Sequence, residues 1–430
     1  MNTNRINSWL PSANIAGCEF PLANLPYAVF SCGNEKHYIG VGIGDSIVNL
    51  CALEEAGLFD ELDLCLRDAV KQQALNQLMG LGHSHWTALR LRLVELLSKN
   101  TYQNQVEPCL IPQVDVSFHL PCQIGDYTDF YTSVHHATRV GSLFRPDNPL
   151  LPNYKWIPIG YHGRSSSIRI SGEAFKRPVG QLKAPDAECP ELGLCKRLDY
   201  ELELGIFIGK GSQLGTPVSM VDAEQHVFGV SMFNDWSARD IQAWEYQPLG
   251  PFLSKNFFSS LSPWIVPMEA LAPYRCDWTR DSADPQPLDY LDSKVNRDKG
   301  AIDIKLEVWI ETAKMRADNQ PAERLSKSNF KESYWTIAQM VTHHTVNGCD
   351  LKPGDLLGSG TQSGPNHEES GSLLELTAGG KAPITLSNGE QRSFVEDGDR
   401  IILKGYCGDD QLKIGLGQVD NLVLSGSKPE

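Results

Sequence analysis

The chain lacks the features that mark secreted and membrane proteins. Its 11 cysteines are odd in number and include no CxxC pair, so the sequence predicts neither a disulfide framework nor a structural zinc site. No apolar run approaches the roughly 18 residues of a membrane span. The first residues, MNTNRINSWLP, lack the apolar core of a signal peptide. We therefore expect reduced thiols and a cytoplasmic location.

Several common catalytic motifs are also missing. The sequence contains no GxSxG, GxxxxGK[ST], HExxH or GxGxxG motif, which disfavours serine hydrolases, P-loop enzymes, HExxH proteases and Rossmann enzymes. The net charge of -15 disfavours nucleic acid and anionic membranes as partners, because both would repel the protein. A small anionic substrate would therefore need a local basic pocket.

The length of 430 residues predicts two domains, because a chain this long exceeds what one ordinary hydrophobic core accommodates. In the first, residues 27–32, 37–43 and 45–50 predict strands, with a turn at 33–36. Residues 67–81 and 84–99 predict helices, the second capped by Ser84 and buried through a stripe of apolar side chains: Trp86, Leu89, Leu93, Leu96 and Leu97. Residues 101–118 have two prolines and no clear period, which predicts a linker and an N-terminal domain at 1–118.

The second predicted domain, 119–430, is rich in short strands separated by Gly, Pro and Asn. One helix is predicted at 328–344, capped by Ser328, and a hairpin is predicted with Asn388 and Gly389 at its tip. No repeat or low-complexity tract interrupts this part, so it predicts one large β-rich unit.

A strand pattern at 198–208 concentrates negative charge. Leucine, tyrosine and isoleucine alternate with Asp199, Glu201 and Glu203, which places the three carboxylates on one face of a strand. Such carboxylates repel each other unless they share a cation or face water. The pattern alone leaves both a metal site and a solvated face open.

Two further segments are dense in reactive side chains. Residues 124–145 contain a carboxylate, tyrosine, histidines and arginine close together: Asp129, Tyr131, His135, His136 and Arg145. Residues 234–255 come directly after an apolar run and include Asp235 near their start. They then supply Arg239, Gln242 and Lys255, hydrogen-bond donors that suit an anionic intermediate. A single histidine is more often structural than catalytic, and the three donors alone are equally compatible with polar side chains at the surface or at an interface.

These segments resemble the fumarylacetoacetate hydrolase family. The resemblance is carried by DYTDFY, HHATRVGSLFRP, GYHGRSSS, LDYELELGIFIG, FNDWSARDIQAWEYQPLGPFLSK, THHTVNGCDLKPGDLLGSGTQSGP and GSLLEL, in this order from about residue 125 onward. It implies a mainly β fold with some α, in which a small SH3-like N-terminal barrel precedes a large mixed β-roll catalytic domain.

The resemblance also implies roles for individual residues. Asp129, Glu201, Glu203 and Asp235 would bind Mg²⁺ or Ca²⁺, which suits four oxygen donors. His136 would be the general base, oriented by Glu375, with Arg239, Gln242 and Lys255 facing the developing oxyanion. Substrate would be bound by Tyr131, Arg145, Tyr161, Arg239, Gln242, Tyr246 and Thr361. Where the family has a Gly-Thr pair after the lysine, this chain has Phe258 and Ser259.

The implied reaction is hydrolysis of a carbon–carbon bond in 4-fumarylacetoacetate, a dianionic diketone, to fumarate and acetoacetate in tyrosine and phenylalanine breakdown. Two alternatives remain open: an acylpyruvate hydrolase, decarboxylase or hydratase of the same superfamily, and a binding protein that kept the fold without the chemistry. The resemblance implies a homodimer, and the aromatic, proline-containing segment 244–257 suits a buried surface.

Overall fold

The computed structural model describes residues 6–33 and 36–427. Two residues of the predicted turn at 33–36, Asn34 and Glu35, lie outside this range. All 11 cysteines are unpaired thiols, as the sequence predicts. Within the described residues, no helix combines the length and apolar character needed to cross a membrane.

A five-stranded antiparallel sheet with the order β4-β3-β2-β1-β5 forms the N-terminal part. Its strands are β1 (Tyr27–Ser31), β2 (Tyr38–Ile43), β3 (Ser46–Asn49), β4 (Leu110–Pro112) and β5 (Ser117–His119). Its helices are α1 (Leu50–Glu55), α2 (Leu64–Ala69), α3 (Asn76–Gly80), α4 (His83–Ser98) and α5 (Gln103–Val106). The three predicted strands are confirmed.

Three predictions for this part were wrong. The helix at 67–81 is two short helices, α2 and α3, and α4 begins at His83 with Gly82 rather than Ser84 at its N-cap. The apolar stripe of α4 is buried as predicted. Residues 101–118 are not a linker, because β4 pairs with β3 and β5 pairs with β1. Residue 118, the predicted end of the N-terminal domain, lies within β5. The domain boundary at this position stays a prediction.

An eight-stranded sheet, a second five-stranded sheet and four two-stranded sheets follow in the described part of the chain. The eight-stranded sheet has the order β7-β6-β22-β13-β14-β16-β8 with β17 beside β14, and the five-stranded sheet has the order β21-β20-β25-β26-β9. The strands are β6 (Tyr127–Phe130), β7 (Gly160–His162), β8 (Ile168–Ile170), β9 (Phe175–Lys176), β10 (Val179–Leu182), β11 (Glu191–Leu194), β12 (Leu198–Asp199), β13 (Leu202–Ile208), β14 (Val227–Asp235), β15 (Ser237–Ala238), β16 (Ser259–Leu261), β17 (Val266–Pro267), β18 (Arg275–Cys276), β19 (Ala301–Ile302), β20 (Lys305–Glu311), β21 (Glu323–Asn329), β22 (Leu356–Gly358), β23 (Ile384–Thr385), β24 (Gln391–Arg392), β25 (Arg400–Gly408) and β26 (Lys413–Leu424).

Short helices connect these strands. They are α6 (Val134–Phe144), α7 (Arg239–Glu245), α8 (Met268–Leu271), α9 (Lys294–Lys299), α10 (Ala313–Ala317), α11 (Ile337–Thr345) and α12 (Leu373–Leu376). The predicted helix at 328–344 starts too early: Ser328 lies in β21, and α11 begins after Thr336, which forms a capping box with Gln339. The predicted hairpin is confirmed as β23 and β24.

The eight-stranded sheet is buried on both faces, and this positions the site. Leu204 and Ile206 of β13 pack into the core shared with the sheet β21-β20-β25-β26-β9. Phe207 of β13 and Phe233 of β14 point to the opposite face, into the core shared with the N-terminal part. Charged groups on these strands are therefore enclosed by protein. The predicted mainly β fold, with a small N-terminal sheet before a large β domain, is confirmed.

Candidate active site

Four carboxylates meet at neighbouring strands of the eight-stranded sheet. Asp129 lies on β6, Glu203 on β13 and Asp235 on β14, while Glu201 lies just before β13. One oxygen of each lies within 4.8 Å of the others. None of the four is more than 5% exposed, so the solvated-face interpretation of Glu201 and Glu203 was wrong.

The surroundings of this cluster fit a metal ion. Burial, and then the charge of neighbouring carboxylates, raises the pKa of Asp129 and of Glu203 well above its ordinary value. Among the described residues, Asp129 Oδ1 and Glu203 Oε1 have no hydrogen-bond partner. Buried oxygens without partners are costly, and a divalent cation would satisfy them.

Two cations border the cluster on one side. Lys255 Nζ contacts Glu201 and lies 2.7 Å from Asp235 Oδ2, and Arg239 Nη1 lies 2.7 Å from Glu201 Oε1. Burial alone would raise the pKa of Glu201, but the charges of Lys255 and Arg239 lower it to about 2. Glu201 is therefore ionised at neutral pH.

Of the two residues that depart from the family pattern, Phe258 and Ser259, the serine places a hydroxyl at the cluster. Ser259 Oγ donates a hydrogen bond to Asp235 Oδ1 at 2.8 Å. Phe258 points away and stacks on Phe175, with ring centroids 4.4 Å apart. The tyrosine hydroxyl of Tyr161 donates to the other oxygen of Asp235 at 3.2 Å.

A histidine and a carboxylate form a buried pair beside the cluster. His136 lies in the first turn of α6, where Ser133 caps the helix and accepts the His136 backbone N–H. Its Nδ1 lies 2.7 Å from Glu375 Oε2. Burial raises the pKa of Glu375, but the neighbouring His136 ring and the hydrogen bonds that Glu375 accepts outweigh burial and lower the pKa to about 2. An ionised Glu375 can only accept, so Nδ1 carries the proton and Nε2 is the basic nitrogen.

Three donors that sequence reasoning missed hold Glu375 in place. Ser363 Oγ and Ser372 Oγ each donate to Glu375 Oε2 at 2.9 Å, and Arg139 Nη1 lies 3.2 Å from Oε1. Arg139 had a signal in the sequence, since it follows His136 by three positions and so shares its helix face. The serines lie in loops more than 200 residues away, where no periodicity connects them to His136.

Several predicted substrate positions border this pair and the cluster. The Tyr131 ring meets the His136 ring edge to face, with centroids 5.4 Å apart. Gln242 Oε1 accepts from Arg239 Nη1 at 3.3 Å. Thr361 is buried directly after Gly360, whose N–H donates to Glu203 Oε2 at 3.0 Å.

Two predicted substrate positions lie further out. Arg145 is exposed just beyond the end of α6 and donates to the Pro149 carbonyl at 3.1 Å. Tyr246 is 45% exposed just beyond the end of α7. Burial, and then the charges of Glu375 and Glu201, raise the pKa of Tyr131, and the charges of Arg239 and Arg145 oppose this rise.

Comparison with known proteins covers nearly the whole chain. The family model described as fumarylacetoacetate hydrolase C-terminal matches residues 127–424, and the model described as fumarylacetoacetase N-terminal matches residues 23–121. The fumarylacetoacetase of Homo sapiens is 46% identical over 98% of this chain and 100% of its own length. That of Caenorhabditis elegans is 48% identical over 94% of this chain and 96% of its own length.

A solved structure shares the fold at lower identity. The fumarylacetoacetate hydrolase from Exiguobacterium antarcticum superposes with a TM-score of 0.52 at 16% identity, covering 94% of this chain and 100% of its own. At that identity the likeness concerns the fold alone, whereas the family models and the curated relatives extend to sequence. The chain belongs to the fumarylacetoacetate hydrolase family.

Proposed function

We propose that this protein hydrolyses the carbon–carbon bond of 4-fumarylacetoacetate to give fumarate and acetoacetate, the last step of tyrosine and phenylalanine breakdown. The observation that carries the proposal is the buried His136–Glu375 pair next to four clustered carboxylates. Relatives named fumarylacetoacetase, 44–48% identical over nearly the full length, support the same substrate. This proposal is preferred over other activities of the superfamily and over a non-catalytic binding protein.

The proposed roles begin with water activation. His136 Nε2 takes a proton from the water that attacks the carbonyl, while Glu375 stabilises the resulting imidazolium through Nδ1. Arg239, Gln242 and Lys255 donate to the oxygen that becomes negative in the transition state. When the bond breaks, its electron pair is delocalised onto the neighbouring carbonyl oxygen as an enolate, and the charges of Lys255 and Arg239 offset this negative charge. The enolate carbon then takes the proton that His136 removed from water, which gives acetoacetate and restores the neutral imidazole.

Asp129, Glu201, Glu203 and Asp235 are proposed to hold Mg²⁺ or Ca²⁺. All four supply hard oxygen donors, without the histidine or cysteine that favours zinc. A bound divalent ion would supply Lewis-acid stabilisation of negative charge on the diketone oxygens. Binding of substrate is assigned to Tyr131, Arg145, Tyr161, Arg239, Gln242, Tyr246 and Thr361.

The proposal is tested by comparing substrates. The purified protein should consume fumarylacetoacetate, followed by loss of its diketone absorbance, and release fumarate and acetoacetate in equal amounts. An acylpyruvate assayed in parallel should have a lower kcat/KM. A higher kcat/KM for the acylpyruvate would favour the alternative hydrolase, and no turnover of either compound would favour a binding protein.

The replacement Arg145→Lys should raise KM for the free dianion far more than for an ester of its distal carboxylate. Arginine can hold a carboxylate with two parallel hydrogen bonds, which the lysine ammonium cannot reproduce. Initial rates over a range of both substrates measure the difference. Arg324→Lys, at an exposed arginine on β21, is the control and should change neither KM. Equal effects of Arg145→Lys on both substrates would exclude carboxylate recognition at this position.

We also propose a homodimer in a reducing, cytoplasmic compartment. Support for the compartment comes from the unpaired thiols. Support for the dimer comes from an exposed apolar surface formed by Trp244, Tyr246, Leu249, Phe252 and Leu253, which are 43–96% exposed. Contiguous exposed apolar side chains of this kind are typical of interfaces.

Light scattering at micromolar concentration should therefore give twice the chain mass of 47.6 kDa. Leu249→Asp should shift the equilibrium toward monomer, because it places a charge in the proposed interface. Leu214→Asp, at a leucine that is also exposed but lies elsewhere, should leave the mass unchanged. A monomeric mass of the unmodified protein would contradict the proposal.

A further inference from the structure

Asp199 is a fully buried carboxylate close to the site that the proposed reaction does not use. It precedes Glu201 by two positions, yet it lies outside the cluster of four carboxylates. Its Oδ2 accepts hydrogen bonds from Arg239 Nε at 3.0 Å and from the Leu374 backbone N–H at 3.1 Å. Its Oδ1 accepts from the Leu373 N–H at 2.8 Å. One carboxylate therefore joins a side chain to a distant piece of backbone.

The two groups that Asp199 contacts, Arg239 and the start of α12, both include or adjoin residues with roles in the proposed reaction. Arg239 presents Nη1 to Glu201 and to Gln242, while its Nε is held by Asp199. Leu373 and Leu374 begin α12, whose third residue is Glu375. Because α12 has only four residues, its own backbone bonds cannot fix its position, and it depends on contacts at its start.

We propose that Asp199 is a positioning residue that couples two parts of the active site, fixing Arg239 on one side and, through the start of α12, Glu375 and hence His136 on the other. This inference rests on the proposed function, because it assigns Arg239 and Glu375 their work in hydrolysis. Asp199 contacts neither the reacting atoms nor the cluster of four carboxylates.

The geometry separates this role from that of a further metal ligand. Both oxygens of Asp199 are already occupied by three donors. Asp199 also belongs to β12, which pairs with β15, whereas Glu203 belongs to β13 in the eight-stranded sheet. The pairing partner therefore changes from β15 for β12 to β14 and β22 for β13, and the Asp199 carboxylate faces the start of α12.

The test replaces Asp199 with Asn, which keeps the shape but substitutes an amide NH₂ for one accepting oxygen. In either orientation the NH₂ faces a donor, so Arg239 or α12 loses its anchor. We expect kcat to fall by about 10- to 100-fold, because small displacements of catalytic groups have effects of this size. The affinity for Mg²⁺ or Ca²⁺, measured by calorimetry, should stay within about threefold, because Asp199 is not one of the four clustered carboxylates.

A matched control separates positioning from general stability. Asp399 is also buried and accepts from an arginine, Arg392 Nε at 2.8 Å, and from a backbone N–H, that of Glu396 at 2.9 Å. None of these partners belongs to the proposed site. Asp399→Asn should lower the unfolding midpoint without lowering kcat. A comparable fall in kcat for both variants would overturn the proposal, as would a loss of metal affinity in Asp199→Asn.

A double-mutant cycle tests whether Asp199 acts through Glu375. In a Glu375→Gln background, Asp199→Asn should reduce kcat by a factor at least about fivefold smaller than in the unmodified protein, because coupled residues are not additive. Equal factors in both backgrounds would overturn the proposal. Asp199→Ser, which keeps one accepting oxygen, is the second variant. If neither variant folds while Asp399→Asn does, Asp199 is a folding determinant and the positioning role is rejected.

A crystal structure of Asp199→Asn gives a readout that needs no activity. At least one of two changes is expected: the separation of His136 Nδ1 and Glu375 Oε2, now 2.7 Å, increases, or Arg239 leaves its present position. An unchanged arrangement would overturn the positioning role even if hydrolysis of fumarylacetoacetate is established. Conversely, if the unmodified protein does not hydrolyse this substrate, the proposed function fails and the crystal structure still decides whether Asp199 positions these groups.

Discussion

His136→Ala should lower kcat for fumarylacetoacetate hydrolysis by about 10² to 10⁴-fold, the range typical of removing a general base. The variant loses Nε2, which is the basic nitrogen because Nδ1 donates to the ionised Glu375. KM should change little, since the imidazole acts on water rather than on bound substrate. Steady-state rates with saturating Mg²⁺ measure the effect.

The adjacent histidine is the control for this prediction. His135 lies in the same turn of α6, and burial, followed by the Arg139 charge, lowers its pKa. Neighbouring positions of a helix point in directions about 100° apart, so His135 does not face Glu375. His135→Ala should therefore reduce kcat far less than His136→Ala. The opposite ranking would show that the proton acceptor has been assigned to the wrong neighbour.

How well sequence patterns predict this fold depends on where each element finds its partners. The first three strands and the hairpin near residue 389 pair locally, and the sequence predicts them. Residues 110–112 and 117–119 lie in or at the end of the stretch 101–118, which looks like a linker because it has two prolines and no clear period. They become strands only because β3 and β1, more than 60 residues earlier, offer free edges.

The same reason explains the misplaced helix start. Residues 323–329 have a helix-compatible end at Ser328, but β20 pairs with them at six positions from Lys305 onward. The strand therefore continues through Asn329, and α11 starts only after Thr336. Tertiary pairing overrides local preference in such segments.

The candidate site divides in a similar way. The alternation correctly places Glu201 and Glu203 together, but it cannot show that both faces of the sheet are covered, which excludes the solvated-face interpretation. Nor can it show that the strand breaks at Tyr200 and Glu201, which sends Asp199 to α12. His136 and Glu375 are 239 positions apart, so no local pattern joins them and only the family resemblance pairs them.

Removal of divalent metal should abolish turnover, and Mg²⁺ or Ca²⁺ should restore it. Without an ion, Asp129 and Glu203 have unpartnered buried oxygens and raised pKa values, so the carboxylates retain protons rather than all ionising. A cation must displace those protons. Its stabilising effect should therefore grow as the pH rises and be weakest at low pH.

The measurement combines activity with thermal unfolding. Protein stripped with a chelator and verified metal-free by elemental analysis should be inactive, and its unfolding midpoint should rise on adding Mg²⁺, more at pH 8 than at pH 6. An ion at about 100 times its Kd stabilises the folded state by about 2.7 kcal/mol. Glu203→Gln should remove this rise because it removes one of the four ligands. Glu307→Gln, at a buried glutamate of β20 outside the cluster, should preserve it. Full activity of the verified metal-free protein would exclude a catalytic metal, and an undiminished rise in Glu203→Gln would place the ion elsewhere.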